Sequence, residues 1–159
     1  RRRRQLVQRH VKPTRMNNRL TFNREPWAVV EADALRAFPN ECCGFLFGHE
    51  TDEGRHFTEA LPVENTQTGD QRRRFAIDQR DYLRAERHAL ATGTQLLGIY
   101  HSHPRHPAVP SIHDLRVALP FFSYLIASTY PGHVERVRSW QLNEAGRFFE
   151  ESIQIPSHG

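Results

Sequence analysis

No apolar run in this 159-residue chain approaches the ~20 residues that a membrane-spanning helix needs, which excludes such a helix. The arginine-rich N-terminus is followed by no apolar stretch, so it does not read as a secretory signal. Cysteine is scarce: Cys42 and Cys43 are the only two, and they are adjacent. Neighbours in sequence are poorly placed to bridge each other, which excludes a disulfide-stapled fold and suits a reducing, cytoplasmic setting. Internal repeats and low-complexity segments are missing. Acidic residues are absent from positions 1–19, where eight basic residues crowd: Arg1, Arg2, Arg3, Arg4, Arg9, Lys12, Arg15 and Arg19. Taking those eight from 22 basic residues leaves 14 against 18 acids, so the formal charge of +4 divides into a tail of +8 and a body of −4.

Residues 1–19 therefore read as a basic, disordered tail, with Met16 as a natural start. Nucleic-acid binding would need aromatic interleaving or a basic fold behind that tail, and the sequence offers neither. Residues 20–159 are long enough for one domain with a real core.

Along that domain the pattern predicts alternating strands and helices. Leu20–Phe22 is a short strand. Pro26 suits a first helical turn, and Trp27, Val30, Ala34, Leu35 and Phe38 form a helical stripe that Pro39–Asn40 ends. Glu41–Gly48 is small and apolar enough for a buried strand, with Cys42 and Cys43 as core packing. His56–Val63 is a second strand, Asn65–Arg74 a polar loop, and Phe75–Ile77 a short extended piece. Asp78 caps a helix running to about Thr92, which Gly93 stops. Gln95–His103 reads as a central strand, Ser111–Leu119 as a short helix, and Phe122–Thr129 as an apolar strand. Val134–Leu142 and Phe148–Ile155 close the chain as an antiparallel pair around a turn at Asn143–Gly146. This interleaving predicts an α/β fold, with helices on both faces of a mixed sheet.

Four of the ten histidines fall in HSHPRHPAVPSIHD, residues 101–114. On an extended strand His101 and His103 share a face, because side chains alternate with period two. Two imidazoles so spaced are a natural pair of zinc ligands. Pro104, Pro107 and Pro110 stiffen the loop that follows. Ser111-Ile-His-Asp114 fits the pattern that opens a helix, which puts Asp114 in the first turn and able to return a carboxylate to the metal. Two histidines and one aspartate leave a fourth position for water, as in catalytic rather than structural zinc sites. Such a metal lowers the water pKa to about 7, and a nearby carboxylate can shuttle its proton. Glu41, at the start of the other apolar strand, is the candidate. His106 and His113 fall off the ligand positions. Arg72, Arg73 and Arg74 either face solvent or meet an acidic patch on a protein partner.

Two other zinc chemistries fail on motif. His133-Val-Glu135 spells H-x-E, but the P-C-x-x-C of a zinc deaminase is missing. His49-Glu50 is followed by no histidine at position 53, so the H-E-x-x-H of a zincin is missing too.

Glu41, then His101-Ser-His-Pro104, six residues, Ser111, two residues and Asp114 resembles the JAMM motif of the MPN-domain metalloproteases, and Glu41-Cys-Cys-Gly44 resembles that family's E-x-C-G strand entry. The resemblance covers about residues 20 to 155. It implies a three-layer α/β/α sandwich akin to cytidine deaminases. It also implies one Zn2+ per chain on His101, His103 and Asp114, with Glu41 as general base and acid and Ser111 hydrogen-bonding the tetrahedral oxyanion. Members cleave isopeptide or peptide bonds after the C-terminal glycines of ubiquitin or ubiquitin-like proteins. Small bacterial members process ThiS/MoaD-type sulfur carriers, some releasing cysteine. The long insertions that grip a second ubiquitin are absent, so the expected substrate is a single carrier whose Gly-Gly tail pairs with an exposed strand edge. The rival reading is a non-catalytic MPN scaffold or binding module; such members typically lose the metal ligands, and this chain retains them.

Overall fold

The computed structural model describes residues 18–157. The predicted tail lies outside the described residues, apart from Asn18 and Arg19. Ten elements follow in order: β1 (Arg19–Phe22), α1 (Arg24–Ala37), β2 (Cys43–Thr51), β3 (Gly54–Val63), α2 (Gln79–Thr92), β4 (Gln95–Pro104), α3 (Ile112–Val117), β5 (Ser123–Tyr130), β6 (His133–Leu142) and β7 (Phe148–Gln154). Most boundaries fall within two residues of those predicted, the usual uncertainty of a frayed end. Phe75–Ile77 is extended but belongs to no strand ladder. Among the described residues no helix is long and apolar enough to cross a membrane.

The predicted three-layer α/β/α sandwich is not what forms. The protein is mostly strand, and its seven strands close into a barrel in the order β1-β3-β2-β4-β5-β6-β7. Closure depends on the four residues of β1. Leu20 pairs with Arg55 of β3 on one side and with Ile153 of β7 on the other, both in parallel. The local pattern that marks Leu20–Phe22 as a strand carries nothing about its two partners, which lie about 35 and 133 residues onward. Twist accumulated from strand to strand brings the ends of the sheet together.

Two apolar clusters lie on opposite sides of the strands. Trp27, Val30 and Ala34 of α1 pack with Leu46, Leu97, Tyr100 and Leu125. Ala85 and Ala89 of α2 pack with Phe45, Phe47 and Ile99. Alternate residues of β2 thus feed different clusters, and Phe45, Leu46 and Phe47 are all 0 % exposed. That two-sided burial explains why β2 reads as an unbroken apolar run. Each such side chain contributes about 1.5–3 kcal/mol relative to exposure. Gly44 is required by the same crowding, since a Cβ there would overlap the Tyr100 ring.

Helix α1 is tied to the sheet by a buried polar contact as well. The Tyr100 hydroxyl donates to Asp33 Oδ2 at 2.8 Å, and Arg36 donates to the other oxygen at 2.7 Å. Helix α2 is capped as predicted: Asp78 accepts from the Arg80 amide, and Gly93 takes the left-handed conformation, φ 69°. The β6–β7 turn also forms as expected, with Gly146 at φ 74°.

Candidate functional site

His101 and His103 sit on β4, both buried, with their Nε2 atoms 3.2 Å apart. The period-two argument holds: the two rings meet on one side of the strand. The His101 ring stacks on Phe75, centroids 4.4 Å apart. His103 Nδ1 lies 2.8 Å from the Pro107 carbonyl oxygen. A carbonyl only accepts, so Nδ1 carries a proton and Nε2 is the atom turned toward His101 and Asp114.

Asp114 arrives from the far end of the proline-rich loop. Ser111 caps α3: its Oγ accepts from the Asp114 amide at 3.0 Å, while Asp114 Oδ2 accepts from the Ser111 amide at 2.9 Å. This reciprocal capping box fixes the Asp114 side chain. The same Oδ2 lies 3.0 Å from His103 Nε2 and 3.3 Å from His101 Nε2. Burial penalises the Asp114 charge, but His101, His103 and the Ser111 amide outweigh it and hold the carboxyl well below the ordinary range. Burial pushes the His101 pKa down against the pull of Asp114, which favours the neutral ring.

Three potential ligand atoms, two imidazole nitrogens and one carboxylate oxygen, thus converge on one point. Zinc bonds of 2.0–2.1 Å in a tetrahedron put ligand atoms about 3.3 Å apart. The three separations here are 3.0, 3.2 and 3.3 Å. The donor set and its spacing therefore fit zinc.

Glu41 occupies the segment between α1 and β2, 3 % exposed. One carboxylate oxygen, Oε1, is buried without a hydrogen-bond partner. Burial first, then the charges of Asp114 and Asp70, push its pKa up to about 9. Glu41, His101 and His103 also each offer a ligand atom within 4.8 Å of the other two. Asp114 Oδ2 lies within 3.3 Å of both imidazoles, so the two histidines are shared between Asp114 and Glu41.

The site opens into a cleft of about 540 Å³ lined by Glu41, Arg72, Arg73, His103, Pro107 and Ser111 among others. His106 also reaches the cleft wall, but neither it nor His113 joins the converging donors. Cys42 and Cys43 are free thiols in the core, where burial pushes both pKa values up.

Three features escaped the sequence. Ser102, between the two histidines, is 0 % exposed, and its Oγ accepts from the Cys42 amide at 2.8 Å. Its place inside the H-S-H-P motif was the available signal. Asn65 and Gln71 bond the backbone of Glu41 from the loop after β3. Nothing in the polar N-T-Q-T-G-D-Q run, residues 65–71, singles them out. Arg72 and Arg73 were visible as charges, but their place on the cleft wall was not.

The barrel thus brings two histidines and an aspartate together with a buried carboxylate beside them. The chain belongs to the family described as prokaryotic homologs of the JAB domain, which matches residues 27–143. This agrees with the resemblance carried by Glu41 and the stretch 101–114. A desampylase of Haloferax volcanii is 34% identical over 91 residues, 57% of this chain. This chain spans 63% of that relative's length. A CysO-cysteine peptidase of Mycobacterium tuberculosis is 30% identical over 130 residues, covering 80% of this chain and 84% of the relative. Among solved structures, a protein of Desulfitobacterium hafniense superposes with a TM-score of 0.75 at 32% identity, covering 87% of this chain and 94% of the other. A protein of Salinibacter ruber superposes with a TM-score of 0.65 at 32% identity, covering 86% and 91%.

Proposed function

We propose that this protein is a zinc-dependent peptidase or isopeptidase. Its substrate is a ubiquitin-like or sulfur-carrier protein, cut after the C-terminal Gly-Gly. The observation that carries the reading is the convergence of His101 Nε2, His103 Nε2 and Asp114 Oδ2 within 3.3 Å. The names of the relatives, a desampylase and a CysO-cysteine peptidase, support the substrate class.

His101, His103 and Asp114 would hold the ion, which when bound supplies Lewis acidity and a water of pKa about 7. The chain's own residues do the rest. Glu41, ionised because the charge of that ion would offset the burial and the neighbouring carboxylates that raise its pKa, takes a proton from the attacking water at a carboxylate oxygen. It then delivers that proton to the leaving nitrogen as the C–N bond breaks, so the water is divided between the two products. Its burial keeps the carboxyl apart from bulk solvent, which suits a group that must hold a proton between the two steps. Ser111 uses only its oxygen lone pair in the helix cap, so its hydroxyl proton stays available to the carbonyl oxygen of the substrate.

The tail has a route in. Among the described residues, β3 from Glu59 to Val63 has a ladder partner only on its β2 side, and Pro62 suits such an edge. Val63 pairs with Cys43, which in turn pairs with His101, so this edge ends about 10 Å, two strand spacings, from the histidines. An extended Gly-Gly tail adding to that edge would reach the cleft. Arg72 and Arg73 on its wall would face acidic groups of the carrier. The two free, buried cysteines support a reducing, cytoplasmic setting.

The test is to incubate the purified protein with carriers from its own cell, each extended beyond Gly-Gly, and weigh the products. Cleavage after the second glycine, with about one zinc per chain, is the expected result. Zinc-free protein without hydrolysis would favour a scaffold.

A further inference from the structure

Glu41 poses a positioning problem. It lies outside any regular element, and its Oε1 has no hydrogen-bond partner to aim it. Its place beside the histidines must therefore come from its backbone. The backbone polar groups of Glu41 and Cys42 are all held. The Glu41 amide donates to the Gln71 carbonyl at 2.7 Å, and the Cys42 amide donates to Ser102 Oγ at 2.8 Å. The Cys42 carbonyl accepts from the Ser102 amide at 3.3 Å. The Glu41 carbonyl accepts from Asn65 Nδ2 at 3.0 Å.

Asn65 stands out in this set because its whole amide is engaged. Nδ2 also donates to the Arg74 carbonyl at 3.1 Å, while Oδ1 accepts from the amides of Gln67 and Ala76 at 3.0 and 3.1 Å. Only a primary amide presents two donors and an acceptor in this geometry. One side chain thus closes the loop from 65 to 76 and fastens it to Glu41. Ser102 does the corresponding work from the histidine strand.

We infer that Asn65 is a positioning residue for Glu41, setting the carboxylate against His101 and His103 through the Glu41 carbonyl. The kinetic arm of its test rests on the hydrolase reading, and the structural arm does not.

Asn65→Asp keeps the shape and the accepting oxygen but replaces the two donated bonds with repulsion between oxygens. In the zinc-loaded variant the expected crystal structure has the Glu41 carboxylate displaced from the histidine pair. With a carrier extended past Gly-Gly, kcat falls about ten- to a hundredfold while KM and zinc affinity stay within about threefold. An unmoved Glu41, or an unchanged kcat, overturns the inference. So does a raised KM at constant kcat, which would make Asn65 a builder of the cleft wall. Loss of zinc would equally overturn it. If the aspartate variant does not fold, Asn65→Ala removes the donors without adding charge and is read the same way. Should the wild type cleave no carrier, the function proposed above fails, and the position of Glu41 in the variant still decides the role of Asn65.

Discussion

His103 Nε2 lies 3.0 Å from Asp114 Oδ2, although the two are eleven positions apart and three prolines, Pro104, Pro107 and Pro110, lie between them. The contact is made by two local devices acting at a distance. Strand β4 presents the imidazole, and the Ser111–Asp114 capping box turns the carboxylate back toward it. Several consequences can be measured.

Removing Asp114 takes from the two imidazoles the carboxylate that would complete the site. Asp114→Ala should reduce bound zinc from about one per chain to near zero and abolish turnover. Chelation of the wild type should lower its melting temperature. An ion present at about a thousand times its Kd contributes about 4 kcal/mol to the fold. A chelator without effect on either the melt or the metal count would contradict the proposed centre.

Glu41→Gln should keep the zinc and lose about 10²–10⁴-fold in kcat, the range of a general acid–base. The same substitution makes a stability prediction for metal-free protein. The folded carboxyl titrates near 9 against an ordinary value of 4.5, so the fold binds the extra proton between those limits. Wild-type stability is then full below about 4.5 and falls as pH rises toward 9. The glutamine cannot ionise and escapes that loss. The melting temperature of the metal-free variant should match wild type near pH 4.5 and exceed it increasingly up to pH 9, at about 2–4 °C per kcal/mol. Parallel pH curves for the two proteins would refute the assignment of that shift to Glu41.

Ser111 combines a helix cap with a proposed oxyanion donor, and the two can be separated. Ser111→Gly costs only a few tenths of a kcal/mol as a cap. It should still cost about 10²–10³-fold in kcat if the hydroxyl donates to the reacting carbonyl. Loss of stability and activity in equal proportion would leave Ser111 as a cap alone.

Arg72 and Arg73 project from an exposed loop, so their effect should be one of encounter. The double substitution R72E/R73E should raise KM for an acidic carrier severalfold and reverse the salt dependence, leaving kcat unchanged. A KM insensitive to both charge and salt would place these arginines outside the docking path.

The sequence alone settled what depends on near neighbours. The shared face of His101 and His103 follows from strand periodicity, and the Asp114 turn follows from a capping pattern four residues long. The two-sided burial of Glu41–Gly48 was legible in its unbroken apolar character, and the caps of α2 in Asp78 and Gly93. Contacts among distant segments had no such local sign. Closure of the barrel rests on Leu20 meeting both Arg55 and Ile153, and a strand's pattern specifies its buried face without naming its partners. The three-layer expectation failed for that reason. Likewise, the approach of Glu41 to the histidines is decided by backbone bonds to Asn65, Gln71 and Ser102, three residues that any polar loop or strand could contain. The identities of the proposed ligands are thus local properties of the chain. The place where they meet the buried carboxylate is a property of the folded sheet, because only packing of the whole barrel fixes β2 beside β4 and the loop after β3 against both.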